Sequence, residues 1–266
     1  TVMKAILASL LLLCSCSSYL FNEETAFEEF PSESDVAGWE KTDISEFYTA
    51  GIKARRAEYV SINNGSHVTC TVYYSSKTGS LINLFSFQDS SCFVNNSEMI
   101  VVSSSKHANI LYSGRMIEII SEQDVSAVEI FEKYYLSDKR KSTLPEILNL
   151  FDFNHQLRYN NEPLILGGKL SVYEGVPAFE QGRYFFAADA MIRDSADAVS
   201  SFLLKRSDVL TESLNESRVF FVKKEKNYDV VSVKGKYIFG FYNIEKIEEG
   251  KLLIEKTGKF IDEKGK

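Results

Sequence analysis

The chain is poor in the residues that mark many specialised classes of protein. Its 266 residues include four prolines, four cysteines, three histidines and one tryptophan. So little proline excludes a collagen-like or low-complexity chain, and a hydrophobic content of 44% excludes a disordered one. Positive charge is also short, with 30 basic against 37 acidic residues, which argues against the nucleic-acid backbone as the main partner. The composition fits one large globular domain or two small ones.

The sequence also lacks a hydrophobic run long enough to span a bilayer, and its main apolar run lies near the N-terminus. Lys4 is followed by an apolar run over residues 5–13, which is too short for a bilayer core of about 30 Å but typical of a signal peptide. The run ends in Leu13-Cys14-Ser15-Cys16, which resembles the bacterial lipoprotein box. We therefore expect residues 1–15 to be a signal peptide and Cys16 to carry the lipid. Modification at Cys14, which would follow a large leucine, and an ordinary secretory peptide are the alternatives.

Lipidation would place the protein in the bacterial cell envelope. We expect the outer membrane rather than the inner one, with the body of the protein in the periplasm or at the cell surface. The expected partners are the membrane, through the lipid on Cys16, and an unknown envelope ligand or protein, with no nucleic acid.

Export changes the meaning of the two remaining cysteines, Cys70 and Cys92. Disulfides persist in such a compartment, and closing this loop would contribute roughly 3 kcal/mol in the chain-entropy model. A Cys70–Cys92 disulfide is one expectation, and two buried free thiols are the other. The histidines are too widely spaced to suggest a metal site, so we predict no metal and no cofactor.

The body divides into segments by composition and periodicity. Residues 16–41 are acidic and read as a tether. Apolar residues at helical spacing predict a helix over residues 43–56 with Thr42 as its cap. Residues 42–137 would form a first α+β lobe, residues 138–162 a connecting helix or linker, and residues 163–266 a second α+β lobe.

An internal repeat is the most informative pattern. At an offset of 121, Met99-Ile100-Val101 falls on Phe220-Phe221-Val222 and Gly114 falls on Gly235, both expected in hairpin turns. Leu81-Ile82 falls on Ala198-Val199 at an offset of 117, and Tyr59 falls on Tyr184 at 125. We predict an α+β protein of two related lobes, each an antiparallel sheet with helices packed on one face. A chance coincidence of common elements is the alternative.

Four short motifs occur early in the chain: Phe30-Pro31, Gly38-Trp39, Gly51 and Tyr73-Tyr74. Together they resemble the corresponding parts of a bacterial secreted and lipoprotein family of unknown function. Members of that family open with Leu-Pro and Gly-Trp and continue into a duplicated, β-rich repeat. The chain departs from the pattern at Phe30, where the family has leucine, and at Ala50-Gly51, where it has Asn-Gly. The resemblance implies export and duplication and brings no site residues.

Several strings imitate catalytic motifs. Ser103 and Lys106 match the Ser-x-x-Lys of penicillin-recognising enzymes, and Lys256-Thr257-Gly258 matches their Lys-Thr-Gly. However, Ser103 falls in a turn between predicted strands and Lys256 in a predicted helix, so we name no catalytic residue. Three carboxylates, Asp189, Asp194 and Asp197, lie close together in the sequence. Asp194 is more simply explained as the N-cap of a helix than as part of a metal or acid-base site.

Three classes of function remain open. The sequence favours a non-catalytic, lipid-anchored envelope protein that binds a ligand or a protein partner. An envelope hydrolase with an unrecognised site and a structural or assembly lipoprotein are the alternatives. Alternating aromatic residues such as Tyr237, Phe239 and Phe241 are expected to face a core rather than a ligand.

Overall fold

The computed structural model describes residues 28–84, 92–95, 99–112, 114–121, 125–137, 144–153, 155–168, 170–189, 193–214 and 217–264. For residues 92–95, 125, 193–194 and 264 the description covers the backbone only. Within these ranges the chain forms two antiparallel sheets of seven strands each. No described helix is both long enough and apolar enough to cross a bilayer.

The first lobe contains the first sheet and two helices. Its strands are β1 (Trp39–Thr49), β2 (Ile52–Ser61), β3 (His67–Tyr74), β4 (Cys92–Asn95), β5 (Ile100–Ser103), β6 (His107–Tyr112) and β7 (Arg115–Ser121). Helix α1 (Thr78–Ile82) lies between β3 and β4, and helix α2 (Val125–Leu136) follows β7.

The second lobe contains the second sheet and two longer helices. Its strands are β8 (Arg158–Asn160), β9 (Val172–Gly175), β10 (Phe185–Asp189), β11 (Val209–Leu214), β12 (Ser217–Lys223), β13 (Tyr228–Lys234) and β14 (Tyr237–Ile244). Helix α3 (Arg193–Leu204) lies between β10 and β11, and helix α4 (Ile247–Lys264) follows β14. Short 3-10 helices occur at Glu146–Leu150 and Leu164–Leu166.

The two sheets have the same topology. The strand order is β1-β2-β3-β7-β6-β5-β4 in the first and, counted from its first strand, β8-β9-β10-β14-β13-β12-β11 in the second. Each lobe is therefore a three-stranded meander, a helix, a four-stranded meander and a final helix. The predicted α+β class with two related antiparallel lobes is confirmed.

The residue equivalences differ from those that the sequence suggested. Tyr112 is the last paired residue before the turn that follows β6, and Lys234 is the last paired residue before the turn that follows β13. These equivalent positions are 122 residues apart. Ser103 and Lys223 are the last paired residues before the turns that follow β5 and β12, and they are 120 residues apart. Both offsets are even, whereas 121 is odd, and a shift by one residue moves every strand side chain to the opposite face.

Of the individual matches, the glycine and helix matches hold at the level of elements. Gly114 and Gly235 lie in equivalent turns, with φ of 82° and 56°, but Gly114 is the second loop residue and Gly235 the first. The match of Tyr59 to Tyr184 is wrong, because Tyr59 lies in the second strand of its lobe and Tyr184 directly precedes the third.

Three hydrophobic cores stack through the molecule. The first lies between the first sheet and α2 and includes Tyr59 and Phe131. The third lies between the second sheet and α3 and includes Phe186 and Leu203. The middle core is shared by the inner faces of both sheets, and α1, α4 and residues 144–157 contribute to it. Each sheet thus carries a helix on both faces, beyond the single helix-bearing face that we expected.

The lobes do not present equivalent faces to the shared core. The first sheet turns its α1 face inward, with Leu81 and Ile82, whereas the second sheet turns its α4 face inward, with Leu253 and Ile254. A two-fold arrangement would bring equivalent faces together. The duplicated lobes are therefore packed front to back.

The segment predicted as a helix over residues 43–56 is a β-hairpin, so that prediction is wrong. β1 and β2 pair along their length and turn at Ala50 and Gly51, whose φ angles are 48° and 76°. β1 is an edge strand that pairs only with β2 and is mostly exposed. Its scattered apolar residues imitate a helical period without forming an alternating strand pattern.

Residues 28–38 pack on the first lobe, although the sequence suggested a tether up to residue 41. Phe30, Val36 and Trp39 are buried in the first core, and the ring of Trp39 meets that of Phe131 edge to face at 5.6 Å. The part of the predicted tether before residue 28 lies outside the described residues.

The sequence suggested a connecting helix or linker over residues 138–162, of which residues 138–143 and 154 lie outside the described residues. The described part contains the five-residue 3-10 helix Glu146–Leu150, and β8 already belongs to the second sheet. Asn83, next to α1, donates a hydrogen bond to the carbonyl oxygen of Tyr159 at 3.0 Å and accepts one from its N–H at 2.7 Å. The side-chain amide of Asn83 thereby pairs with the backbone groups of Tyr159 at the edge of β8, as a neighbouring strand would.

Candidate binding clefts

The predicted lipidation site and disulfide can be placed only in part. Cys16 lies outside the described residues. Cys70 in β3 is a fully buried free thiol, and burial raises its pKa. Three strands separate β3 from β4, where Cys92 lies, so the two Cα atoms are roughly 19 Å apart, far beyond the limit of about 7 Å for a disulfide. The Cys70–Cys92 disulfide is therefore not formed in this structure.

The serine and lysine strings lie in different parts of the molecule. Ser103 ends β5 in the first lobe, where its hydroxyl hydrogen-bonds Glu132 of α2. Lys256 lies on α4 in the second lobe and forms an ion pair with Glu180 at 2.7 Å. The serine and the second-lobe lysine therefore do not form a common site.

The three carboxylates do not form one site among the residues that are described. Asp189 ends β10, Asp197 is exposed on α3, and the side chain of Asp194 lies outside the description. In the described part of the chain, no group of three or more histidine, cysteine, aspartate or glutamate residues could hold a metal ion.

A cavity of about 810 Å³ forms an open cleft on the outer face of the second sheet. We call it the lobe-two cleft, and the residues that define it are Asn160, Glu174, Tyr184, Arg206, Asp229 and Tyr242. They come from β8, β9, β13, β14 and the segments before β10 and after α3. The cleft lies beside α3, which leaves this end of the sheet uncovered.

Tyrosines form one side of the lobe-two cleft. The rings of Tyr184 and Tyr242 lie 5.7 Å apart with an interplanar angle of 32°, and 42% of Tyr184 is exposed. The hydroxyl of Tyr242 donates to Glu174 Oε1 at 2.7 Å, and Asn160 Nδ2 donates to the same oxygen at 3.1 Å. Burial, followed by this hydrogen bond, raises the pKa of Tyr242, so its hydroxyl remains a donor.

Most of the charges in this cleft are already paired. Arg206 binds Asp208 through two hydrogen bonds of 2.9 and 2.6 Å, which lower the pKa of the carboxyl group. The buried Asp229 accepts from Lys224 Nζ at 2.7 Å and from the N–H of Asn243 at 3.0 Å. The second contact holds Asn243 at a φ of 58°, a backbone conformation that asparagine tolerates better than most residues. The charges of the cleft are thus largely neutralised, and its lining also includes apolar residues such as Ile165 and Val222.

A second cavity, of about 550 Å³, lies where the lobes meet. We call it the junction cleft, and the residues that define it are Thr78, Glu146, Tyr159, Tyr173, Asp189 and Lys236. Thr78 belongs to the first lobe, Glu146 to the connection and the others to the second lobe. The ring of Tyr159 rests against Gly79, where an added Cβ atom would lie 2.3 Å from the ring.

Sequence reasoning missed both clefts. Their residues are spread from position 78 to position 243, and only the strand order brings them together. Asn243 was the one available local signal, since asparagine at positive φ marks irregular backbone, but it lies in a segment that otherwise reads as strand. The sequence matches no protein-family profile, no curated protein and no solved structure at a significant level.

Proposed function

We propose that this is a non-catalytic, lipid-anchored protein of the bacterial cell envelope that binds a ligand or a protein partner in the lobe-two cleft. The observation that carries the proposal is the lining of that cleft, where an exposed tyrosine ring stands beside a network of polar side chains that are already hydrogen-bonded. Its volume of about 810 Å³ suits a small ligand.

The chemistry of the lining favours a neutral, hydroxylated ligand such as an oligosaccharide. Arg206 and Lys224 are paired with neighbouring carboxylates, so an anionic ligand would have to displace an ion pair to bind either of them. A sugar instead offers an apolar ring face for Tyr184 and hydroxyl groups for the amide and carboxylate groups of Asn160 and Glu174.

The separation of Ser103 from Lys256 supports a binding role over the hydrolase alternative. The penicillin-recognising chemistry needs its Ser-x-x-Lys and Lys-Thr-Gly strings in one site, whereas here Ser103 lies in the first lobe and Lys256 is paired with Glu180 in the second. Attachment through Cys16 would keep the cleft in the envelope, at the outer membrane, where such saccharides are exposed.

Lipidation is tested by mass spectrometry of the protein extracted from bacterial membranes. We expect a mature N-terminus at Cys16 that carries a diacylglyceryl or triacyl modification. A soluble chain that is cut elsewhere would refute the anchor and leave the cleft proposal to stand alone.

Binding is tested by saturation-transfer NMR with a panel of neutral envelope oligosaccharides. We expect Tyr184→Ala to weaken the best binder about tenfold or more, equivalent to about 1.4 kcal/mol. Tyr48→Ala is the matched control, because Tyr48 is 69% exposed on β1 of the other lobe. Equal losses in both variants, or no binding by any saccharide, would contradict the proposal, and cleavage of a bound saccharide would favour the hydrolase.

A further inference from the structure

The carboxylate of Asp189 is an unusual group in the junction cleft. Asp189 continues the inward-facing alternation of Phe185 and Ala187 along β10, so its side chain lies on the face toward the other lobe. Its Oδ1 atom is buried and has no hydrogen-bond partner among the described residues. Burying such an acceptor without a partner is costly, and buried polar groups in native proteins are nearly all satisfied.

Among the described residues, Lys236 is the cation whose charge acts on Asp189, but it does not meet this need through a hydrogen bond. Lys236 Nζ instead donates to Glu146 Oε2 at 2.5 Å, and the same oxygen accepts from the hydroxyl of Tyr237 at 3.1 Å. Desolvation raises the pKa of Asp189, and Lys236 offsets this only in part. With two carboxylates and one ammonium group, the described lining of the cleft is one positive charge short of neutrality.

Aromatic rings form the wall beside this carboxylate. Tyr159 and Tyr173 are paired neighbours on β8 and β9, and their ring centroids are 5.0 Å apart. Tyr173 is in turn the partner of Ala187, two residues before Asp189. Aromatic faces attract cations, most strongly in sites removed from water.

We propose that the junction cleft binds a protonated primary amine, with its ammonium group on the carboxylate of Asp189 and its alkyl chain against Tyr159 and Tyr173. One orphan oxygen and an aromatic wall suit a compact ammonium group with an apolar stem. A divalent metal would need several oxygen ligands, and a guanidinium group prefers both oxygens of a carboxylate. This site is separate from the lobe-two cleft and does not depend on it.

The test is a calorimetric titration of the full chain with n-pentylamine and, as the uncharged counterpart of the same length, n-pentanol. We expect the amine to bind at least tenfold more tightly than the alcohol. Asp189→Asn should reduce amine binding at least tenfold and leave alcohol binding unchanged. Asp262→Asn is the matched control, because this exposed carboxylate on α4 pairs with Lys234 of β13, outside the junction cleft.

A second variant covers the case in which Asp189→Asn does not fold. Tyr159→Leu keeps the apolar volume but removes the ring, and it should weaken the amine more than the alcohol. Equal binding of amine and alcohol, an equal loss in Asp262→Asn, or no binding up to about 10 mM amine would overturn the proposal.

The source of the ammonium group is distinguished by a further titration. A lysine blocked at both its amino and carboxyl groups presents the same side-chain amine as a protein partner would. Tighter binding of the blocked lysine would assign the site to a partner's lysine, and tighter binding of pentylamine would assign it to a free amine. Either result supports the proposal.

Discussion

Gly79 sets how closely α1 approaches the second lobe. Its Cα lies against the ring of Tyr159, with no room for a Cβ atom. We expect Gly79→Ala to lower the free energy of unfolding by about 1–3 kcal/mol, the usual cost of overpacking. Urea denaturation measures the change.

Gly258→Ala provides the matched control for this substitution. Gly258 lies in α4, and a Cβ atom there would meet only the flexible end of Lys234 at 3.4 Å. Alanine is the better helix former, so this variant should be neutral or more stable. An equal loss of stability in both variants would mean that the contact with Tyr159 is not the cause.

Asp189 gives a prediction about stability and pH. Its folded pKa is raised from 3.8, first by desolvation and further by Glu146, while Lys236 opposes the shift. As the pH rises through the unfolded pKa, the unfolded chain loses its proton first, so this residue makes the folded state progressively less stable until its folded pKa is passed. Asp189→Asn should therefore melt at a higher temperature than the wild type at pH 7, and the difference should shrink as the pH falls toward 4.

Thermal melts of both proteins across this pH range measure the difference. A difference in melting temperature that stays constant with pH would show that burial of the Asp189 carboxylate does not destabilise the folded state. The outcome is independent of the amine titration, since it is measured without a ligand.

At the scale of elements, the β1–β2 turn carries a residue that fits it poorly. Ala50 has a φ of 48°, a conformation in which a non-glycine residue pays about 1–2 kcal/mol and asparagine pays less. We expect Ala50→Asn to raise the free energy of unfolding by up to about 1 kcal/mol and Gly51→Ala to lower it. Ser45→Asn, at an exposed position of the same hairpin, should bring no gain.

This turn also explains why the sequence misled us about the hairpin. An Asn-Gly pair at residues 50–51 would have predicted a two-residue turn, as Asn63-Asn64-Gly65 does before β3, whereas alanine hides the positive φ. The regular elements were easier to predict. Lys256 lies in a helix, α4, and Phe239 and Phe241 are buried, as the sequence predicted.

Local sequence patterns could not predict the register of each strand or which strands are its neighbours in the sheet. The repeat was visible as an order of elements, but β13 runs six positions from Tyr228 to Lys234 where β6 runs four from Ala108 to Tyr112, which shifts the offset from 120 to 122. The clefts depend on which strands are neighbours, and Glu174 and Tyr242 carry no local signal of a site, while Asp189 stood out in the sequence only as one of a group of carboxylates. Residues of this kind are found only through the topology.

At the scale of the whole molecule, the shared core ties the lobes together. It contains buried residues from both sheets, including Met116 from the first and Phe185 from the second. We therefore expect a single cooperative unfolding transition, with equal calorimetric and van't Hoff enthalpies. Scanning calorimetry of the full chain would contradict this if it resolved two separate transitions, as for lobes that are stable independently.

The duplication also bears on where ligands bind. Because the lobes pack front to back, the outer face of the second sheet has the lobe-two cleft, while the outer face of the first sheet is covered by α2 and residues 28–38. Related lobes therefore have different surfaces available, and the proposed binding function belongs to only one of them.

The most direct test of this account is a crystal structure of the protein extracted from bacterial membranes with whatever ligand remains bound. The account predicts electron density for a neutral, hydroxylated molecule against Tyr184, with hydrogen bonds to Asn160 or Glu174. A ligand bound elsewhere with the lobe-two cleft empty, or a cleaved product held near a serine or a carboxylate, would contradict it.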